Sequence, residues 1–226
     1  MSYGFGGNMS GATNHNKIIN QAAREILKPY GLFQKGQSRL WIDDNSWFLI
    51  LVEFQPSAWN KGTYLNVAIH YLWDKKDYLS FDYRHRENEF VTFDGDEKAF
   101  YTSMISLSEM ALKKIEEYRS FKDISYAKER IMNRNGYTAS SHDLYQKMMI
   151  CGLAKDPQAT KLYKQLIECV EYSELGWEQE YYSELVEKVA PIISDVDKFY
   201  DYIMCKINMQ REFWHNKSSM KKLNIN

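Results

Sequence analysis

Between residues 47 and 84 the sequence alternates in steps of two. Phe48, Ile50, Val52 and Phe54 fall on one side of an extended chain, and Leu65, Val67, Ile69, Tyr71 and Trp73 fall on one side of the next. A pleated strand repeats its side-chain direction every second residue, so this pattern commits the middle of the chain to β-structure. The intervening stretches 43–46, 56–62 and 74–77 are rich in Asp, Asn, Ser, Pro and Gly and are too short for helical crossovers. Strands joined so tightly pair antiparallel, as a meander. The spacing predicts about five strands, over residues 38–42, 47–55, 63–73, 78–84 and 89–93.

Helical periodicity brackets this sheet. Thr13 or Asn14 can cap a first helix whose stripe is Ile18, Ile19, Ala22, Ala23, Ile26 and Leu27, and Pro29 with Gly31 closes it. Asp94-Gly95-Asp96-Glu97 lacks the later ligands of a calcium loop. It reads instead as a capping box, Asp94 at the N-cap and Glu97 three residues on. The helix beyond it carries Phe100, Met104, Leu107, Ala111, Leu112 and Ile115 on one face. From about residue 120 every segment is helical: 124–133, then 144–153 after a break at Asn135-Gly136, then 159–172, 177–189 and 192–213, with Pro191 between the last two. The expected fold class is α+β: an N-terminal helix, an antiparallel meander with helices packed on one face, and an all-helical C-terminal extension. The expected divisions are a disordered tail over 1–12, an α+β domain over 13–119 and a helical region over 120–226.

Composition narrows the function classes. Lys and Arg total 29 against 30 Asp and Glu, a formal net charge of −1. That balance offers no electrostatic footprint for a nucleic-acid backbone or an anionic membrane. The longest apolar run, 47–52, is far too short to span a bilayer. The three cysteines, Cys151, Cys169 and Cys205, lie far apart in helical segments among apolar neighbours, with no Cys-x-x-Cys spacing, as expected of buried small hydrophobes in a reducing, cytoplasmic setting. The five histidines are scattered, and no phosphate-cradling glycine motif occurs, so neither a metal nor a cofactor is expected.

The strand alternation also generates a candidate site. With the apolar faces turned toward the helices, the opposite face collects Glu53 and Gln55 from one strand, Asn66 and His70 from the next, and Ser80, Asp82 and Arg84 from the third. This requires Glu53 to pair with Asn66, because a slip of one residue would exchange the faces. The adjoining loop adds Ser57 and Trp59. Antiparallel sheets commonly turn one polar face to water, and that alone accounts for such a list. If the face is open, acid, amide, imidazole and guanidinium groups would converge where a polar ligand or peptide can bind, and His70 beside Asp82 would make an acid–base pair.

The segment Phe54-Gln55-Pro56-Ser57-Ala58-Trp59-Asn60-Lys61-Gly62-Thr63-Tyr64-Leu65-Asn66-Val67 resembles the DUF4304 domain, a family of uncharacterised proteins. The pattern is a Gln-x-Ser-x-Trp loop leading into a strand with Asn-Val, preceded by a helix ending in a Gly-Phe-like turn, here Gly31-Leu32-Phe33. Leu72-Trp73 and Ser80-Phe81-Asp82-Tyr83 look like the same group. The resemblance covers roughly residues 14–120 and makes Gln55, Ser57, Trp59, Asn66, Ser80 and Arg84 family-defining positions. That family has no established activity, so the resemblance supports a fold and leaves the function open. The sequence therefore predicts a non-enzymatic protein that binds a protein or peptide partner through the polar face or the groove beside it. The 17 Tyr and 6 Trp residues suit such a surface. An alternative is a hydrolase-like enzyme using His70, Asp82 and Arg84, which requires those three to meet in an open pocket.

Overall fold

The structure, a computed structural model, describes residues 11–86, 89–134, 140–220 and 222. The tail expected over 1–12 lies outside these residues up to position 10, and helix α1 already begins at Gly11 (Gly11–Leu27). The break expected at Asn135-Gly136 also lies outside them. Six strands follow α1: β1 (Phe33–Gln34), β2 (Leu40–Asp44), β3 (Phe48–Gln55), β4 (Gly62–Tyr71), β5 (Tyr83–Arg86) and β6 (Val91–Thr92). Six further helices complete the chain: α2 (Glu97–Arg119), α3 (Ile124–Met132), α4 (Ser141–Leu153), α5 (Gln158–Val170), α6 (Gly176–Glu184) and α7 (Val196–His215).

The chain divides into two compact units. The first holds the residues up to Tyr71, then Asp77–Arg119, then Phe213 onward; the second holds Leu72–Lys76 and Ser120–Glu212. The division at Arg119 follows the change from mixed to purely helical sequence. The exchange of Leu72–Lys76 and of the chain's end between the units has no counterpart in the composition.

In the first unit the sheet runs β1-β2-β3-β4-β5 as an antiparallel meander, with β6 returning to pair the start of β4. Glu53 stands opposite Asn66, the register that the apolar alternation requires. Helices α1 and α2 pack on each other, and α2 lies on β3 and β4. Ile19, Ala22, Ala23 and Leu27 of α1, and Phe100, Met104, Ala111 and Ile115 of α2, bury against that core. Ile26 and Leu112, at the margins of the expected stripes, stay half-exposed. The cap of α2 is Asp96 rather than Asp94: Asp96 Oδ1 accepts the backbone N–H groups of Lys98 and Ala99 at 3.0 Å, while Asp94 Oδ1 accepts that of Asp96. Two carboxylates in tandem compete for the cap, and the one nearer the first turn wins.

The strand expected over 63–73 stops at Tyr71. Trp73 belongs to the second unit, where its indole Nε1–H donates to Gln146 Oε1 at 2.6 Å and Gln146 Nε2 donates to Asp74 Oδ2 at 3.0 Å. The strand expected over 78–84 begins only at Tyr83. Among the helices of the second unit, α3 is capped by Asp123 and α4 by Ser140, both accepting backbone N–H groups of the first turn. After α6 the chain widens into a π-helical turn, Leu185–Val189, before Pro191 ends it. Cys151 is buried, and desolvation, with the charge of Asp156 beside it, pushes its thiol up to about 11. Cys169 and Cys205, expected to be buried as well, are instead exposed and free, on the outward sides of their helices. Iodoacetamide at about pH 8 is therefore expected to label Cys169 and Cys205 in the native protein and to spare Cys151 until denaturant is added, as peptide mass spectrometry would read directly.

Candidate functional site

The face of the sheet opposite α2 starts from β3 and β4. Leu49, Leu51, Glu53 and Gln55 alternate outward from β3, opposite His70, Ala68, Asn66 and Tyr64 of β4. Leu49, Leu51, Ala68 and His70 are all completely buried, and Asn66 and Asp82 nearly so. The open polar face expected from the strand pattern is thus closed over most of its area. The first unit's C-terminal segment accounts for part of this cover. The Trp214 ring meets the His70 ring edge-on, with centroids 6.2 Å apart. Met220, further along, is itself fully buried.

The polar residues under this cover bond to one another. His70 Nδ1 lies 3.0 Å from Ser80 Oγ and accepts the backbone N–H of Ser80 at 3.3 Å. Ser80 Oγ–H donates to Asp82 Oδ1 at 2.8 Å, and Asp82 Oδ2 accepts the backbone N–H of Tyr71 at 2.9 Å. A nucleophile triad needs serine on one imidazole nitrogen and carboxylate on the other. Here both gather on the same nitrogen: Asp82 Oδ2 is 3.4 Å from Nδ1, and Nε2 is buried with no hydrogen-bond partner among the described residues. The cluster ties the loop between β4 and β5 down onto β4.

The acid–base pair expected at His70 and Asp82 is corrected accordingly. The two side chains are neighbours, but inside packed core and beyond reach of a substrate. Arg84, opposite Ala68 on β5, is exposed, so the three do not meet in an open pocket. At the other end of the face, Asn66 Nδ2 donates to Glu53 Oε2 at 3.2 Å and Gln55 Oε1 at 2.8 Å, and these amide and acid groups satisfy each other. Replacing Asp82 by Ala strands the Tyr71 N–H and the Ser80 hydroxyl in a dry environment and is expected to cost about 3 kcal/mol. Urea unfolding checks this, and a variant as stable as the parent would mean that the cluster is solvated.

The loop between β3 and β4 also stays at the surface. Ser57 Oγ accepts the backbone N–H groups of Trp59 at 3.1 Å and Asn60 at 3.3 Å, which fixes the turn. Thr63 Oγ1 donates to the carbonyl of Gln55 at 3.2 Å across its base. Trp59 projects from this braced turn with 93% of its surface exposed.

In the second unit the sequence signals missed a cluster around Glu184, which accepts the hydroxyl of Tyr202 at 2.5 Å and the Lys206 ammonium on the same oxygen. The Lys206 ammonium also stands 5.8 Å and 5.6 Å from the ring centres of Tyr145 and Tyr202. Burial, with the Glu184 hydrogen bond and charge, pushes the Tyr202 phenol up, while Lys206 and Tyr202 hold Glu184 low against its own burial. Carboxylate and ammonium compensate each other here, the signature of a structural pair. Among the described residues no group of His, Cys, Asp and Glu side chains could hold a metal ion, and no helix is long and apolar enough to cross a membrane. Compared with family models, curated proteins and solved structures, the chain matches none.

Proposed function

We propose that this chain is a non-catalytic recognition protein that docks a partner protein through the loop over residues 56–61, with Trp59 as the anchor. The observation that carries this reading is the exposure of Trp59 on a turn braced by Ser57. An indole held in water forgoes one of the largest burial gains available to any side chain. Tryptophan is also the residue most enriched where a few contacts dominate binding, and a pre-ordered turn lowers the entropy lost on docking. The remaining residues first read as one polar binding face act in this account as supports: Gln55 and Asn66 hold the strand ends beneath the loop, and His70, Ser80 and Asp82 fasten the sheet.

Membership of the DUF4304 group belongs to the same proposal, since Gln55, Ser57 and Trp59 are the residues that carry the resemblance. So does a reducing, cytoplasmic location, which the exposed free thiols of Cys169 and Cys205 favour. The test is affinity capture from the native host with the parent chain and with Trp59→Ala. The variant is expected to unfold within about 0.5 kcal/mol of the parent, because nothing packs on the ring. It is also expected to lose the partner that the parent retains. A partner recovered equally by both proteins would sink the reading.

A further inference from the structure

We infer that Arg39, Lys61 and His15 form a binding site for a dianionic phosphoryl group carried by the partner that docks on the Trp59 loop. This rests on the reading of that loop given above and adds the chemistry of what it recognises.

The site is built where α1, the start of β2 and the base of the loop meet. Arg39 Nη1 donates to the carbonyl of Gly62 at 3.1 Å, and its Nη2 donates to His15 Nε2 at 3.0 Å and to Asn16 Oδ1. The carbonyl of Lys61 accepts the backbone N–H of Phe93 at 2.9 Å, and the Phe93 ring stacks on His15 with centroids 5.9 Å apart. These contacts hold the Arg39 and His15 side chains together and fix the backbone of Lys61 beside them.

Three features there ask for an anion. First, Arg39 is half-buried, and its contacts are a carbonyl, an amide and an imidazole; no carboxylate pairs with it among the described residues. A guanidinium removed from water without a counter-charge is costly, and proteins rarely leave one so. Its fork has five N–H donors, three of which are engaged here, so two remain for a ligand. Secondly, a guanidinium can only donate, so His15 Nε2 must accept and the imidazole proton sits on Nδ1. That Nδ1–H is buried, on a residue only 8% exposed, and has no acceptor. Burial first, then the charges of Arg39 and Lys61, hold the His15 pKa below its ordinary value and keep the ring neutral. Thirdly, Lys61 is exposed beside it, so the site carries two formal positive charges and several unsatisfied N–H groups. A phosphoryl group, with close to two negative charges and three acceptor oxygens, matches that count better than a carboxylate does. Only Asn60 separates Lys61 from Trp59, so a segment bearing a phosphoryl group can engage both together.

Inorganic phosphate is the probe for this site, followed through the His15 ring signals by NMR against chloride of equal ionic strength. Expected is a saturable shift with half-saturation on the order of millimolar and a rise in the His15 titration midpoint, because a bound dianion offsets the neighbouring cations. Lys61→Ser, at an exposed position that folding does not depend on, should weaken the response about fivefold. Arg39→Lys keeps the charge but loses the fork, and should weaken it as well. An unmoved His15, equal binding by Lys61→Ser, or an acetate response as strong as that to phosphate would each overturn the assignment. The two proposals fail separately. A failed phosphate titration alongside Trp59-dependent capture removes the anion site alone, whereas phosphate binding alongside capture indifferent to Trp59 removes the docking loop and leaves the site to a free phosphoryl ligand.

Discussion

Replacing Trp73 by Ala is expected to remove about 5 kcal/mol of stability from the helical unit, the largest loss of any single substitution considered. The ring is completely buried, and its indole N–H donates to Gln146 Oε1 at 2.6 Å. The variant therefore opens a cavity and also leaves a buried amide oxygen without its donor. The two contributions can be separated. Trp73→Phe keeps most of the volume and should cost about 2 kcal/mol, chiefly through the orphaned amide. Combining it with Gln146→Met should return part of that cost, since Asp74 retains the Lys76 ammonium at 2.9 Å. Urea unfolding at constant m-value reads all three variants. If Trp73→Ala unfolds at nearly the parental midpoint, the ring is not the core element described.

Gly62→Ala is expected to cost about 4 kcal/mol, from backbone strain and overlap together. Gly62 opens β4 at φ +142°, a conformation that residues with a Cβ rarely adopt. An added methyl group would overlap the carbonyl oxygen of Val91 and the ring of Phe90. The carbonyl is backbone, so it can yield only if β6 lifts off β4, where Gly62 pairs with Thr92 and Thr63 with Val91. The same substitution should displace the Trp59 loop and the carbonyl that Arg39 contacts. Loss of stability and loss of partner binding are expected together, in contrast to Trp59→Ala, which separates them. A stable Gly62→Ala protein with unchanged amide signals in β6 would contradict this.

The register of β3 and β4 was legible in the sequence because it rests on a local, period-two signal: only Glu53 opposite Asn66 turns Phe48, Ile50, Val52, Leu65, Val67 and Ile69 to one side. The helix stripes of α1 and α2 were legible for the same reason. What covers the second face was not. Trp214 meets His70 from 144 positions further along the chain, a long-range contact that leaves no periodic trace near either residue. The polar residues of that face therefore looked like a wet surface, although His70 and Asp82 spend their hydrogen bonds on Ser80 and the Tyr71 backbone. Trp73 misled in the opposite way. It continues the alternation of β4 perfectly, yet the ladder ends at Tyr71, because its indole finds an acceptor in Gln146 that no strand position offers. Arg39 carried no signal at all, since its significance lies in the absence of a carboxylate around it. Trp59 was legible only as an aromatic residue in a turn, and its exposure became evident with the fold.

The most direct test of the docking loop is photo-crosslinking from position 59. A photoreactive tryptophan analogue that keeps the anchoring indole, placed there and, as a control, at the exposed Tyr172 of the helical unit, would be irradiated in the native host. The account predicts a discrete crosslinked partner from position 59 that is absent from position 172. Identical crosslinks from both positions, or none from position 59 while the intact protein still captures a partner, would contradict it.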